Sequence, residues 1–242
     1  LRREGRPPRL LYTIPTFNNP TGISLPDERR RALVDLAANE GLLIVEDDVY
    51  RELHYDGPPP PSLWELAPPG VVARMGSFAK SLAPGIRLGW LTADPALVRR
   101  FVEGGVLDSG GSLNHFASLV VAQFCLSGEY DALLERFRTA YRTRRDALLA
   151  GLSQHMPDNC SWTHPAGGYF VWLRLPKRID AETLLPAAEA MGVSFVPGTL
   201  FYLDGDGGGH NALRLAFSLY PPDELTEGTR RLGAALKAAL NS

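Results

Sequence analysis

The chain has 242 residues, a net charge of −2, apolar content near 45% and charged content near 21%, the profile of an ordinary water-soluble globular protein with one large or two modest domains. That balance gives no reason to expect nucleic acid or an anionic membrane as partner. Cys125 and Cys160 are too few for a disulfide framework or a cysteine metal cluster, so the expected home is a reducing cytoplasm. The longest apolar run, Ala117 to Leu126, is interrupted by Gln123 and too short for a bilayer, and no signal peptide is expected from Leu1-Arg2-Arg3-Glu4.

In chain order, Leu10 to Ile14 is short, apolar and β-prone, with Pro15 as its stop. Thr16 to Gly22 is turn chemistry throughout. Ser24, Pro26 and Asp27 form a helix-start pattern; Leu33, Leu36, Ala37 and Glu40 follow at helical spacing and Gly41 is a stop signal. Leu42 to Val45 is the next buried strand and runs into Glu46-Asp47-Asp48-Val49-Tyr50. Strand, turn, helix, strand is the order of a βαβ unit in a parallel or mixed sheet. Pro58 to Pro61 reads as a stiff surface segment. Val71 to Gly76 and Leu88 to Ala93 read as two strands; the stretch between them shows no convincing helix, which predicts an antiparallel pair.

Asp94-Pro95 opens a helix to about Gly104, and the glycine pairs 104–105 and 110–111 suggest a boundary that divides residues 1–108 from 109–242. Helices are predicted from about Asn114 to Leu126 and from Tyr130 to Gln154, the latter amphipathic. Strands at Tyr169 to Leu175, Val193 to Val196 and Leu213 to Phe217, a helix from Asp180 to Met191, a glycine-rich loop over 205–209 and a last helix from Asp223 to Leu240 complete an α+β half.

Polar residues cluster at strand ends in the first half: Asn19, Asp47 with Tyr50, Ser77 with Lys80, and Arg87. Each has a plain structural reading, as turn former, solvated acid or surface charge. Strand ends at one edge of an α/β sheet, however, converge where ligands bind. Lys80 is one of three lysines in a chain otherwise supplied with arginine. An amine can lose its proton and attack a carbonyl, which a guanidinium cannot do. His54, His115, His164 and His210 show no metal-ligand spacing, and no metal site is expected.

The set Asn19-Pro20-Thr21-Gly22, Asp47-Asp48-Val49-Tyr50, Ser77-Phe78-Ala79-Lys80 and Pro84 to Gly89 resembles the signature of class I/II aminotransferases of the pyridoxal-phosphate fold type I. Glu46 to Leu53 and Phe78 to Gly85 are most similar to the branch with 2-aminoadipate and aromatic aminotransferases; Gly167 to Phe170 and Leu213 to Ser218 resemble its small domain. The resemblance implies an α/β fold in which residues 1–108 are the C-terminal part of the large mixed-sheet, cofactor-binding domain and 109–242 the small α+β C-terminal domain. It implies transfer of an amino group from an L-amino acid to a 2-oxo acid, pyridoxal 5'-phosphate as cofactor, and a homodimer. It further implies that Lys80 holds the cofactor and moves the proton, that Asp47 pairs with its ring nitrogen, and that Tyr50 and Asn19 donate to its ring oxygen. Ser77 and Arg87 correspond to phosphate ligands, while Arg214, with Asn19, corresponds to the substrate-carboxylate site.

Members of the family carry a further N-terminal portion with the rest of the phosphate cradle and the ring-stacking aromatic. The chain is therefore expected to be part of an aminotransferase and to bind cofactor weakly or not at all alone. Two other classes compete: the effector-binding half of a winged-helix transcription regulator, and a lyase or decarboxylase of the same fold. Regulators of that type tend to read His-Gln-aromatic-Pro-Thr-Gly where this chain has Phe17-Asn18-Asn19-Pro20-Thr21-Gly22, which favours the enzyme.

Overall fold

The computed structural model describes residues 5, 7–104, 107, 114–203 and 207–241. The chain divides into two compact units, one of Leu1–Thr16 with Ser24–Phe137 and the other of Phe17–Ile23 with Arg138–Ser242. The boundary expected between 108 and 109 lies outside the described residues; the units divide at Phe137 and Arg138, within one continuous helix.

The first unit is built on a four-stranded sheet in the order β1 (Leu10–Thr13), β2 (Leu43–Asp47), β3 (Val72–Ser77), β4 (Gly89–Thr92). β1, β2 and β3 are parallel and β4 is antiparallel to β3, with Ser77 opposite Gly89, as the helix-poor connection predicted. Between β1 and β2 runs α1 (Asp27–Glu40), which ends on Gly41 in the left-handed region (φ 64°), where a glycine carries no Cβ penalty. Its N-cap is Pro26, which has no side-chain acceptor to offer the first turn. Val34 and Ala37 of α1, Ile44 of β2, Val72 of β3 and Leu63 form the core beneath one face of the sheet.

Leu63 belongs to α2 (Leu63–Leu66), a single turn that composition did not announce. Ser62 caps it, and the Glu65 carboxylate reaches back to the Ser62 N–H, a reciprocal capping box. A second short helix, α3 (Phe78–Ser81), follows β3 directly and corrects the expectation of a helix-free connection. Beyond β4 come α4 (Pro95–Val102) and α5 (His115–Leu126). The long α6 (Glu129–His155) then passes from the first unit into the second.

The second unit contains an antiparallel sheet in the order β5 (Ser161–Trp162), β6 (Phe170–Arg174), β8 (Ala212–Ala216), β7 (Val196–Pro197). Val171, Leu173 and Leu213 are fully buried, as are Ala188 of α7 (Ala181–Ala190) and Leu236 of α8 (Pro222–Asn241). Helices approach closely where side chains are absent: a Cβ on Gly151 would sit 2.2 Å from Thr229 Oγ1. The strand expected at Val193 to Val196 is shorter and later. Gly192 (φ 77°) and Val193 donate to Glu189 and Ala188 and close the end of α7, which leaves pairing to Val196 and Pro197. Of the predicted glycine-rich loop, 205 and 206 lie outside the described residues. Among the described residues no helix is long and apolar enough to cross a membrane, and no group of three or more His, Cys, Asp or Glu could hold a metal.

Candidate functional site

Side chains alternate across a strand, and residues paired in register share a face. Ile44 pairs with Val72, so both point into the core of the first unit. Tyr12 pairs with Val45 and Asp47 with Met75, which puts Tyr12, Asp47 and Ser77 together on the opposite face. The acidic run at the end of β2 is thereby sorted.

Glu46 is fully buried and accepts from the Leu63 and Trp64 N–H groups at 2.8 and 3.0 Å, filling the N-terminus of α2. Burial pushes its carboxyl above the ordinary range, partly offset by those two donors. Asp48 is buried too, with Arg74 at 2.8 Å and Arg51 at 3.8 Å. Asp47 remains on the open face. Its Oδ2 accepts from the Tyr12 hydroxyl and its Oδ1 from the Val49 N–H at 3.4 Å. Tyr50, three residues on, is buried, and its carbonyl accepts the Leu53 N–H at 2.9 Å.

Ser77 ends β3 and begins α3. Its hydroxyl accepts from the Ala79 N–H at 3.1 Å and lies 3.4 Å from the Leu88 carbonyl, to which it donates. The Phe78 N–H reaches the same carbonyl at 3.0 Å, so the residue following Arg87 is stitched to the start of the Lys80 helix. Leu82 and Ala83 both donate to the Phe78 carbonyl, which closes the turn around Lys80. On the same turn Ser81 is buried and its Oγ accepts from Tyr130 at 2.8 Å, while the Tyr130 ring meets Phe78 edge-on at 5.9 Å.

A 3-10 turn at Pro84–Ile86 leads to Arg87, held in the left-handed region at φ 53°. That conformation costs a non-glycine residue about 1 kcal/mol or more. Asn114 fixes it, donating to the Ile86 carbonyl at 2.9 Å and the Arg87 carbonyl at 3.4 Å. The Arg87 guanidinium is exposed and donates to Pro84 at 3.3 Å. The first unit thus presents a carboxylate, a hydroxyl, an amine and an exposed planar cation from the C-terminal ends of adjacent parallel strands and the turn that follows. A carboxylate suits a protonated ring nitrogen; a hydroxyl with a guanidinium suits a phosphate.

In the second unit, Arg214 at the centre of β8 donates to Asn19 Oδ1 at 2.8 Å. Its guanidinium carbon stands 4.3 Å from the centre of the Phe170 ring and 5.1 Å from that of Phe201, two cation–π contacts that orient a planar cation. Asn19 precedes a cis bond to Pro20. The turn is tied by Asn18, whose Oδ1 accepts from Thr21 Oγ1 at 3.0 Å and whose carbonyl accepts from the Gly22 N–H at 2.6 Å. Gly22 (φ 69°) lies so close to β6 that a Cβ there would be 2.4 Å from the Phe170 carbonyl, so only glycine fits. Arg214 and Asn19, 195 residues apart, therefore form one element.

Two participants had no sequence motif to mark them. In the sequence Tyr12 is one residue of a strand and Tyr130 one position of an amphipathic helix. The parallel register of β1 on β2 is the signal for the first, since it puts position 12 one pleat before Asp47 on the same face.

The family model for aminotransferase class I and II matches residues 4–232. Aromatic-amino-acid aminotransferase 1 of Thermococcus litoralis is 38% identical over 98% of this chain, and 2-aminoadipate transaminase of Thermus thermophilus is 40% identical over 99%. The match covers 56% of the first protein's length and 60% of the second's. A kynurenine aminotransferase of Pyrococcus horikoshii, solved in complex with PMP, superimposes with a TM-score of 0.93 at 36% identity, over all of this chain and 59% of that one. An uncharacterized HTH-type transcriptional regulator of Bacillus subtilis, YdfD, is 32% identical over 98% of this chain and 48% of its own length. With the family's pattern running through nearly every residue, the chain belongs to the class I and II aminotransferases.

Proposed function

We propose that the protein is a pyridoxal-phosphate-dependent aminotransferase that moves an amino group from an L-amino acid, of the aminoadipate or aromatic kind, to a 2-oxo acid. The observation that carries the reading is the Lys80 turn: an amine on a capped helical turn, with Ser77 at its start and Leu88, next to Arg87, stitched to it, on the same sheet as the open-face carboxylate of Asp47.

When bound, pyridoxal phosphate supplies the electron sink that makes a Cα–H bond of the substrate labile. Lys80 would hold the cofactor through its amine and would hold the proton that leaves the substrate's Cα. Asp47 keeps a proton on the ring nitrogen by offering negative charge beside it. Tyr50 and Asn19 donate to the ring oxygen, and Ser77 and Arg87 bind the phosphate, one by a hydroxyl and one by a bidentate cation. Arg214 binds the substrate α-carboxylate, its plane set by Phe170 and Phe201 and one of its N–H groups by Asn19. The reading places the protein in the cytoplasm as a homodimer, and keeps residues 1–108 and 109–242 as its cofactor-binding and small domains.

Incubation of the full-length protein with pyridoxal phosphate and then glutamate tests this. The expected result is a visible cofactor band, absent in Lys80→Ala, that glutamate converts to the amine form and a 2-oxo acid restores. Failure to convert with any amino acid overturns it. The resemblance to YdfD supports a second reading, an effector-binding domain of a transcription regulator. It predicts a ligand-dependent change in DNA binding without turnover in the same assay.

A further inference from the structure

Tyr12 is about half exposed, at 51%, so packing alone gives no reason for an aromatic ring there. What singles it out is its hydroxyl, which donates to Asp47 Oδ2 from the neighbouring strand. The register sets this up: Tyr12 stands opposite Val45, Asp47 lies one pleat further on the same face, and a phenol is long enough to span that offset. Asp47 is the last residue of β2, where ladder pairing ends and a side chain would otherwise choose among rotamers. With Tyr12 on Oδ2 and the Val49 N–H at 3.4 Å from Oδ1, both oxygens are restrained and the carboxylate has one plane. The adjacent acids cannot substitute, since Glu46 is spent on α2 and Asp48 on Arg74. Burial, the bond to Asp47 and the charge of Asp47 raise the Tyr12 phenol above its ordinary value, so it stays a donor.

We propose that Tyr12 is a positioning residue for the cofactor ring: it fixes the plane of the Asp47 carboxylate and thereby the grip of Asp47 on the ring nitrogen. The proposal rests on the assignment of Asp47 made above. It predicts an effect that passes through Asp47 and disappears without it, which a merely structural tyrosine would not give.

The test is a double-mutant cycle on the whole protein with Tyr12→Phe, Asp47→Asn and both, read as the pyridoxal phosphate dissociation constant by equilibrium dialysis. Loss of one hydrogen bond at this half-exposed position predicts a rise of about threefold to tenfold for Tyr12→Phe. In the Asp47→Asn background the same change adds less than about twofold. In the cofactor-free protein, Tyr12→Phe leaves the melting temperature unchanged, and Asp47→Asn lowers the pH at which Tyr12 ionises, followed by phenolate absorbance. Unchanged affinity in Tyr12→Phe, or an equal loss with and without Asp47, overturns the proposal alone. A full-length wild-type protein that takes up no cofactor overturns the functional reading and this proposal with it.

Discussion

Arg30 is fully buried, yet it carries a charge into the first unit from the first turn of α1. Its Nε donates to the Leu25 carbonyl at 2.7 Å, one terminal nitrogen to Pro61 at 3.1 Å, and the other to Pro15 at 2.7 Å and Thr16 Oγ1 at 3.0 Å. Pro15 and Thr16 precede the segment Phe17–Ile23, and Leu25 follows it, so one guanidinium ties both ends of the excursion that carries Asn19. Burial lowers the Arg30 pKa, and Glu46 and Asp48 act in the opposite direction. Arg30→Met keeps the stem and deletes the fork. Three carbonyls and a hydroxyl then lose a donor, at about 1–3 kcal/mol each where no water replaces it, while the desolvation of the charge is recovered. The net expectation is a loss of about 3–5 kcal/mol, the lost hydrogen bonds outweighing the recovered desolvation.

Denaturant unfolding, with the midpoint and slope read separately, measures it. Arg30→Lys should recover less than half of the loss, because an ammonium cannot span carbonyls arranged around a planar fork. A loss below about 1 kcal/mol for Arg30→Met, the worth of a single ordinary hydrogen bond, would refute the idea that this side chain closes the loop.

Gly76→Ala in β3 would put a Cβ 2.3 Å from Trp90 Cζ2, and the indole already carries Arg74 at 5.1 Å from its centre. The expected cost is about 1–3 kcal/mol with a shifted tryptophan emission; unaltered emission would mean that the ring has room after all. Glu65 is held below its ordinary value, first by the Ser62 N–H and then by the Ser62 hydroxyl. Its contribution is therefore present above the unfolded value of 4.5 and lost as pH falls through the folded one, so Glu65→Gln should flatten the acid limb of the stability curve and leave it parallel to the wild type at neutral pH.

Much of the first unit was legible from periodicity and punctuation. The apolar runs of β1, β2 and β3 and the glycine after α1 mark elements whose local preference agrees with their packing. The antiparallel β4 follows from a connection too short for a crossover. What was not legible depends on pairing between distant segments. Val193 is β-branched and reads as a strand, but the three residues after this helix are claimed by its open carbonyls before a sheet can have them. The one-turn helix that bears Lys80 has no periodicity to detect in four residues; its cause is the Ser77 cap and the Leu88 carbonyl across the hairpin. The division at Phe137 and Arg138 falls inside a helix with no turn residue to mark it.

The same limit governs the candidate site. Residue types and order suggested an amine, a carboxylate and a phosphate site, but Glu46-Asp47-Asp48 offers three carboxylates in a row and composition cannot divide them. The sheet can. Period-two alternation sends Glu46 to the core side, where two N–H groups of α2 await it, and leaves Asp47 on the face of Tyr12 and Ser77. Asp48, past the strand end, is free to turn back to Arg74. A one-residue slip of β2 against β1 and β3 would exchange these roles, burying the carboxylate assigned to the ring nitrogen and exposing the one that caps α2. Register is therefore the property on which both the stability of this unit and its proposed chemistry depend.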